Sequence, residues 1–256
     1  TIAYDLNSNL EIFFYYTFLF FAGSILMRSA GCIVNDIADK NFDKEVERTK
    51  YRPIASGKIS IKLAIIYSII LCGLAFLVLI NFNFFTIWMA LLSMPLAFSY
   101  PLMKRFTYWP QLFLGITFNI GVLIAYSSIT NTIDIEIIFL YLAGIFWTLG
   151  YDTIYAHQDI EDDVLIGIKS TARLFGAKTW PWLLGFALTS GGLMLGALAL
   201  QVQGPAFWVA GLGVAAFVLH MLWQLRQFRL GETELLLRLF RVSCFCPTVF
   251  VCISNT

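Results

Sequence analysis

Asp36, Asp39 and Asp43 recur at i, i+3 and i+7 in the stretch "NDIADKNFD", Asn35–Asp43. On a helix that spacing sets all three carboxylates on one face, with Arg28, seven residues before Asn35, on the same stripe. Carboxylates stacked in this way repel one another unless positive charge sits among them. A divalent cation with oxygen ligands meets the need, and Mg2+ characteristically shares one or two carboxylates with waters and substrate phosphates. A second acidic group stands in "YDTIYAHQDIEDDVLIGIKSTARLFG", Tyr151–Gly176, where Asp159, Asp162 and Asp163 fall at i, i+3 and i+4. Two acid patches, far apart in sequence, are what a two-sided clamp on a metal diphosphate requires. Basic residues follow both: Arg48, Lys50, Arg52 and Lys58 after the first, Lys169 and Arg173 after the second. They supply the charge-assisted donors a diphosphate needs, Arg in bidentate fashion and Lys as a point charge. The competing reading of either cluster alone is a solvated loop with ordinary surface charges.

Both clusters sit where an apolar run ends. Of the 256 residues, 59% are hydrophobic and 13% charged, about half the charge of a soluble domain, so this is an integral membrane protein. Runs long enough to cross a bilayer as helices, about 20 residues each, lie near 10–34, 61–80, 84–103, 110–128, 137–157, 180–200 and 206–224, with a weaker eighth near 240–253. Sorting Lys and Arg by loop gives the orientation. Segments 34–60, 104–109, 158–179 and 225–239, with their flanking helix ends, hold every Lys and Arg except Arg28, whereas 81–84, 129–136 and 201–205 hold none. By the positive-inside rule the first set is cytoplasmic, which places both acid clusters at one membrane surface.

Other polar features carry less. "YPLMKRFTYWPQ", Tyr100–Gln111, puts Lys104 and Arg105 in a tight inner loop, where they read as topology anchors beside the interfacial aromatics Tyr108 and Trp109. His157 lacks neighbours at metal-ligand spacing and reads as structural. The five cysteines form no CxxC pair and read as reduced apolar fillers.

The segments "MRSAGCIVNDIADKNFDKEVERTKYRPIASGKIS" and "YDTIYAHQDIEDDVLIGIKSTARLFG", with "YPLMKRFTYWPQ", resemble the signature regions of UbiA-type membrane prenyltransferases, most closely those acting on 4-hydroxybenzoate. The resemblance runs from about Phe20 to Gly176 and rests on NDxxDxxxD followed by RTxxRPxxSG, together with YDTxYAxxDxxDD and GIKSTA. It implies an all-α bundle, nine transmembrane helices in the family and about eight here, around a cavity opening sideways to lipid. Asn35, Asp36, Asp39 and Asp43 are then the first Mg2+-diphosphate motif, and Asp159 and Asp163 the second. Arg48, Arg52 and Lys169 fall at basic positions suited to the diphosphate, and Arg105 meets the aromatic acid, which displaces its reading as an anchor. The implied reaction moves a polyprenyl group from polyprenyl diphosphate to the ring carbon ortho to the hydroxyl of 4-hydroxybenzoate, in ubiquinone biosynthesis, with Mg2+ as cofactor and Asp159 as base. The implied location is an inner membrane, the bacterial one first and the mitochondrial one as the alternative. Other aromatic acceptors, such as a naphthoate, homogentisate or a porphyrin, stay open. An ion-coupled transporter is the alternative of another class, although intramembrane ion sites belong near the midplane with repeated halves, and no repeat is visible.

The chain reads as one prenyltransferase domain over 1–256 that departs from the family at both ends. It begins at Thr1 without Met and without the family's first helix, and "VSCFCPTVFVCISNT" lacks the polar and glycine pattern of the last. A seam in composition near Ala177, beyond which no Ile occurs before Ile253 and no Lys after Lys178, is expected of a chimera or an assembled fragment.

Overall fold

The computed structural model describes residues 10–45, 49–165, 167–232 and 234–243, and among these it is helical with no strand. The helices are α1 (Leu10–Glu45), α2 (Ile61–Leu79), α3 (Phe84–Phe106), α4 (Pro110–Thr130), α5 (Ile135–Ala156), the short α6 (Ile160–Leu165) and α7 (Thr171–Phe175), then α8 (Thr179–Gln201) and α9 (Pro205–Gln227), with a last helix, α10, over 234–243. Among the described residues seven segments are long and apolar enough to span a bilayer, and they coincide with the seven expected from hydropathy. The eighth expected span, near 240–253, lies mostly outside the described residues.

Two compact units account for the described chain, one of residues 1–102 with 124–132, the other of 103–123 with 133–256. In the first, α1 is the element that carries chemistry. Its 36 residues extend about 54 Å at 1.5 Å per residue, well beyond the ~30 Å of hydrocarbon, so its last turns, with Asn35 to Asp43, run on past the apolar part. Phe14, Phe18, Phe21 and Ile25, at i, i+4, i+7 and i+11, are exposed on one face, as suits a helix facing lipid. On another face Phe20 meets the Phe82 ring at 4.9 Å. Backbone polar groups have no water to turn to inside a bilayer, and side chains serve them here. Asn83 accepts from the Thr86 N–H (2.9 Å) at the start of α3 and donates to the carbonyl oxygens of Ser127 (2.8 Å) and Ser128 (3.1 Å).

In the second unit α5, α8 and α9 pack around Leu149, Leu183, Phe186, Phe217 and Met221. Small residues let the helices close up, as is usual where lipid and protein are equally apolar. Gly144 lies under the Asn119 side chain, where a Cβ would come 2.2 Å from its Oδ1. Asn119 in turn donates to the Thr148 hydroxyl (2.9 Å) and the Gly115 carbonyl (2.8 Å). Ser190 on α8 donates to the Ala143 carbonyl of α5 at 2.9 Å.

Candidate active site

The polar end of α1 continues helical through Glu45, so Asp36, Asp39 and Asp43 do share a face as their spacing requires. The chain then folds back on them. Thr49 donates its hydroxyl to the Asp43 carbonyl at 3.0 Å, satisfying an acceptor that the end of the helix leaves open. Turn bonds from Arg52 N–H to the Thr49 carbonyl and from Ser56 N–H to the Arg52 carbonyl wind the following segment, and Gly57, at φ +79°, closes it. Ile54 and Ala55 are buried beneath it. Ser60 then accepts from the Leu63 N–H and starts α2.

This return brings the Arg52 guanidinium onto the acid face. A single nitrogen, Nη1, donates to Asp36 Oδ1 at 3.0 Å and to Asp43 Oδ2 at 3.1 Å. Carboxylates two turns apart thus converge on one positive centre. Asp39, between them in sequence, is 4% exposed, and the Asp43 side chain 11%. Asn35 is half-buried one residue before Asp36, and Arg48 lies outside the described residues.

The donor set fits Mg2+. It is all oxygen, and two carboxylates already share one cationic nitrogen at about 3 Å. Among the described residues no group of three or more His, Cys, Asp or Glu side chains is placed to cage an ion. Mg2+ itself characteristically holds one or two carboxylates and fills its remaining positions with waters and phosphate oxygens.

The second acidic segment follows α5. His157, one residue beyond that helix, is buried with Nε2 2.9 Å from the Thr179 hydroxyl and its ring against Phe228. Burial pushes it down to about 4, so it is neutral at physiological pH. A buried, neutral imidazole held by a hydroxyl and a ring is what a structural histidine would look like. Asp159 and Asp163 bracket the first turn of α6, the Asp163 N–H reaching the Asp159 carbonyl at 2.8 Å, and both side chains are half-buried. The side chain of Asp162 lies outside the described residues. Arg173 reaches back with Nη1 to the carbonyl oxygens of Asp163 and Ile168. It holds the turn that presents Asp163.

The Lys169–Thr171 stretch is stitched to the α3–α4 loop. The Lys169 N–H donates to the Lys104 carbonyl at 2.9 Å, Lys169 Nζ donates to the Phe106 carbonyl at 3.2 Å, and Nζ stands 5.6 Å from the Tyr108 ring centroid. The Thr171 N–H donates to Gln111 Oε1 (3.1 Å), while the Thr171 and Thr153 hydroxyls meet at 2.7 Å, both fully buried. Trp109 packs edge-on against Phe175, which stacks on Trp182 at 4.7 Å. Arg105 closes the last turn of α3 with its side chain exposed.

Sequence reasoning passed over Thr49, Gln111, Thr153 and Thr171. Gln111 left a signal, a carboxamide in the first turn of an otherwise apolar helix that needs a buried partner. The threonines left none, because a threonine is as ordinary in a membrane helix as in a loop.

Comparison with known proteins supplies a family. The UbiA prenyltransferase family matches residues 2–245. The chain is 46% identical over 210 residues to the mitochondrial 4-hydroxybenzoate polyprenyltransferase of Rattus norvegicus, covering 80% of this chain and 55% of that protein. The human protein of the same name is 47% identical over 212 residues, 81% of this chain and 56% of its own. The chain thus spans about half the length of the curated relatives it matches. Among solved structures, the apo UbiA homolog from Aeropyrum pernix K1 shares the fold with TM-score 0.75 at 24% identity, covering 92% of this chain and 88% of its own. A UbiA homolog from Archaeoglobus fulgidus bound to GPP and Mg2+ gives 0.68 at 17%, covering 94% and 88%. The named relatives are mitochondrial and do not support the bacterial inner membrane expected from sequence.

Proposed function

The chain belongs to the UbiA prenyltransferase family, and from that premise we propose that it transfers a polyprenyl group from polyprenyl diphosphate to the ring carbon ortho to the hydroxyl of 4-hydroxybenzoate, releasing diphosphate, as a step of ubiquinone biosynthesis in the mitochondrial inner membrane. The relatives named for that activity support the choice of acceptor. The observation that carries the chemistry is the convergence of Asp36 and Asp43 on one cationic nitrogen at 3.0 and 3.1 Å.

Asp36, Asp39 and Asp43, with Asn35, would hold Mg2+ for the prenyl diphosphate, and Asp159 and Asp163 are our assignment for the second Mg2+-diphosphate motif. Mg2+, when bound, takes up negative charge that grows on the leaving diphosphate, a stabilisation specific to the transition state. Arg52, and Arg48 four residues before it in sequence, are our assignment for donors to the diphosphate oxygens. The C1–O bond breaks with its electron pair leaving on the diphosphate. Rings from this Phe- and Tyr-rich chain would shield the resulting allylic cation from water and offer it their faces. The ring carbon ortho to the phenol attacks, and its proton passes to a base, for which Asp159 is our assignment. Arg105 holds the acceptor's carboxylate, the planar anion its guanidinium matches. A lipid tail and two charged head groups meet only at the membrane boundary, which is where both motifs leave their apolar helices. We place that boundary on the matrix side.

The test is transfer of labelled prenyl diphosphates of several lengths to 4-hydroxybenzoate in membranes holding the chain, with and without Mg2+, read by product mass. Prenylated hydroxybenzoate that requires Mg2+ is expected, and its loss in Asp36→Asn and in Asp159→Asn with the protein still in the membrane. Turnover at the wild-type rate in either variant would sink the mechanism; a product on another aromatic acceptor only would replace the substrate.

A further inference from the structure

Arg105 has one neighbour on each side in sequence, and the main-chain carbonyls of both end on the same residue. The Lys104 carbonyl accepts the Lys169 main-chain N–H at 2.9 Å, and the Phe106 carbonyl accepts Lys169 Nζ at 3.2 Å. The Lys104–Arg105 and Phe106–Thr107 peptide groups, which flank the pair Arg105 and Phe106, are therefore held by the backbone and side chain of one residue from a distant part of the sequence. Two features reinforce the strut. The Lys169 ammonium lies 5.6 Å from the Tyr108 ring centroid, within cation–π range. Two residues on, Gln111 receives the Thr171 N–H and continues the same zipper. The last turn of a helix normally leaves its carbonyls without partners and frays. Here the last turn of α3 carries the exposed Arg105 and ends at Phe106, and two of its carbonyls are taken.

From this geometry we infer that Lys169 is a positioning residue for Arg105, setting the guanidinium that receives the aromatic acceptor, and is not a diphosphate ligand. The inference rests on the proposed function in its assignment of Arg105 to the acceptor's carboxylate. Its physical content stands without it: an ammonium spent on a backbone carbonyl and a tyrosine face fixes a loop. Replacing the side chain leaves the bond from the Lys169 N–H to the Lys104 carbonyl in place, so Lys169→Met keeps the crossing of the two segments and loses the two ammonium contacts, to the Phe106 carbonyl and the Tyr108 ring. Lys169→Arg keeps a cation and donors for both the Phe106 carbonyl and the Tyr108 ring.

The full chain in nanodiscs, as wild type, Lys169→Met and Lys169→Arg, is assayed for the Michaelis constants of its two substrates, the hydroxybenzoate acceptor and the prenyl diphosphate. Without substrates, the same three proteins are followed for the rate of limited tryptic cleavage after Arg105. In Lys169→Met the acceptor's Michaelis constant is expected to rise about tenfold, the equivalent of ~1.4 kcal/mol, with that of the prenyl diphosphate unchanged. Cleavage after Arg105 is expected to quicken about fivefold, because it tracks the population of the opened loop. Lys169→Arg is expected to restore both. A raised Michaelis constant for the prenyl diphosphate, with the acceptor's unmoved, would assign Lys169 to the diphosphate and overturn the inference; so would unaltered cleavage. If the wild type transfers nothing to 4-hydroxybenzoate, the proposed function fails while the cleavage ratio still decides whether the strut exists.

Discussion

Arg52 occupies the position that the acid face of α1 offers to a cation, which leads to a reversal that binding can measure. Its Nη1 stands 3.0 Å from Asp36 Oδ1 and 3.1 Å from Asp43 Oδ2, with the three side chains 37%, 27% and 11% exposed. Unit charges about 4 Å apart interact by ~4 kcal/mol at an effective dielectric of 20. Screening of the exposed arginine and its lost rotamer freedom reduce this, and charge-assisted hydrogen bonds contribute about 1.5–3 kcal/mol net. We take ~2 kcal/mol for the two contacts together, near the low end. Arg52 must give them up before a divalent ion can use the same oxygens. Replacing it by Gln should therefore tighten Mn2+ binding about thirtyfold, at ~1.4 kcal/mol per tenfold. With a non-reactive prenyl thiolodiphosphate present the advantage should vanish or invert, because the displaced guanidinium of the wild type then finds phosphate oxygens that Gln cannot serve as well. Paramagnetic resonance titration of Mn2+ against purified protein in nanodiscs reads both affinities without turnover. Lys58→Gln removes the same charge from an exposed position in the same loop and controls for the general field. Equal or weaker Mn2+ affinity in Arg52→Gln, or an equal gain in Lys58→Gln, refutes the reasoning.

Three further outcomes follow from single contacts. Gly144→Ala sets a methyl 2.2 Å from Asn119 Oδ1 and breaks the Asn119–Thr148 bond, so it should destabilise by about 2 kcal/mol, read as a lowered midpoint of thermal unfolding in detergent. Thr171→Val leaves the buried Thr153 hydroxyl without its 2.7 Å partner and should cost about 1–2 kcal/mol, whereas Thr153→Val with Thr171→Val should recover most of it. His157, held near 4 against about 6.5 in the unfolded chain, contributes stability that is complete above pH 6.5 and is lost as pH falls toward 4. Between pH 7 and 5 the wild type should therefore lose about 2 kcal/mol more than His157→Gln.

The spans were legible because their cause is local. Twenty apolar residues bounded by charge or turn residues can do little else in a bilayer, and 61–80, 84–103 and 110–128 appear within a few residues as α2, α3 and α4. The acid face of α1 was legible for the same reason, since i, i+3, i+7 on a helix fixes a face without any knowledge of what lies opposite. What lies opposite was not legible. Nothing in the spacing of Arg52 distinguishes it from Lys50 or Lys58; only the fold of the 49–60 loop, closed by Thr49 on the Asp43 carbonyl and by Gly57, selects the guanidinium that reaches both carboxylates.

Lys169 marks the deeper limit of reading chemistry from residue type. A lysine after an acid cluster fits a phosphate donor as well as it fits a tie between two loops, because the ammonium serves phosphate and carbonyl oxygen alike. Sequence ranks those partners by charge and so favours phosphate. The fold ranks them by where the main chain already runs: once the Lys169 N–H is bonded to the Lys104 carbonyl, the Phe106 carbonyl is only two residues away and needs a donor that the end of α3 cannot supply. A cationic side chain beside an unserved helix terminus is drawn to it by the same dipole that favours Lys and Arg in any last turn. Arg173, on the carbonyls of Asp163 and Ile168, makes the same choice in the same segment. Lys169 and Arg173 thus hold backbone carbonyls beside Arg105 and at Asp163, whereas the Arg52 guanidinium bonds to the carboxylates of Asp36 and Asp43 themselves.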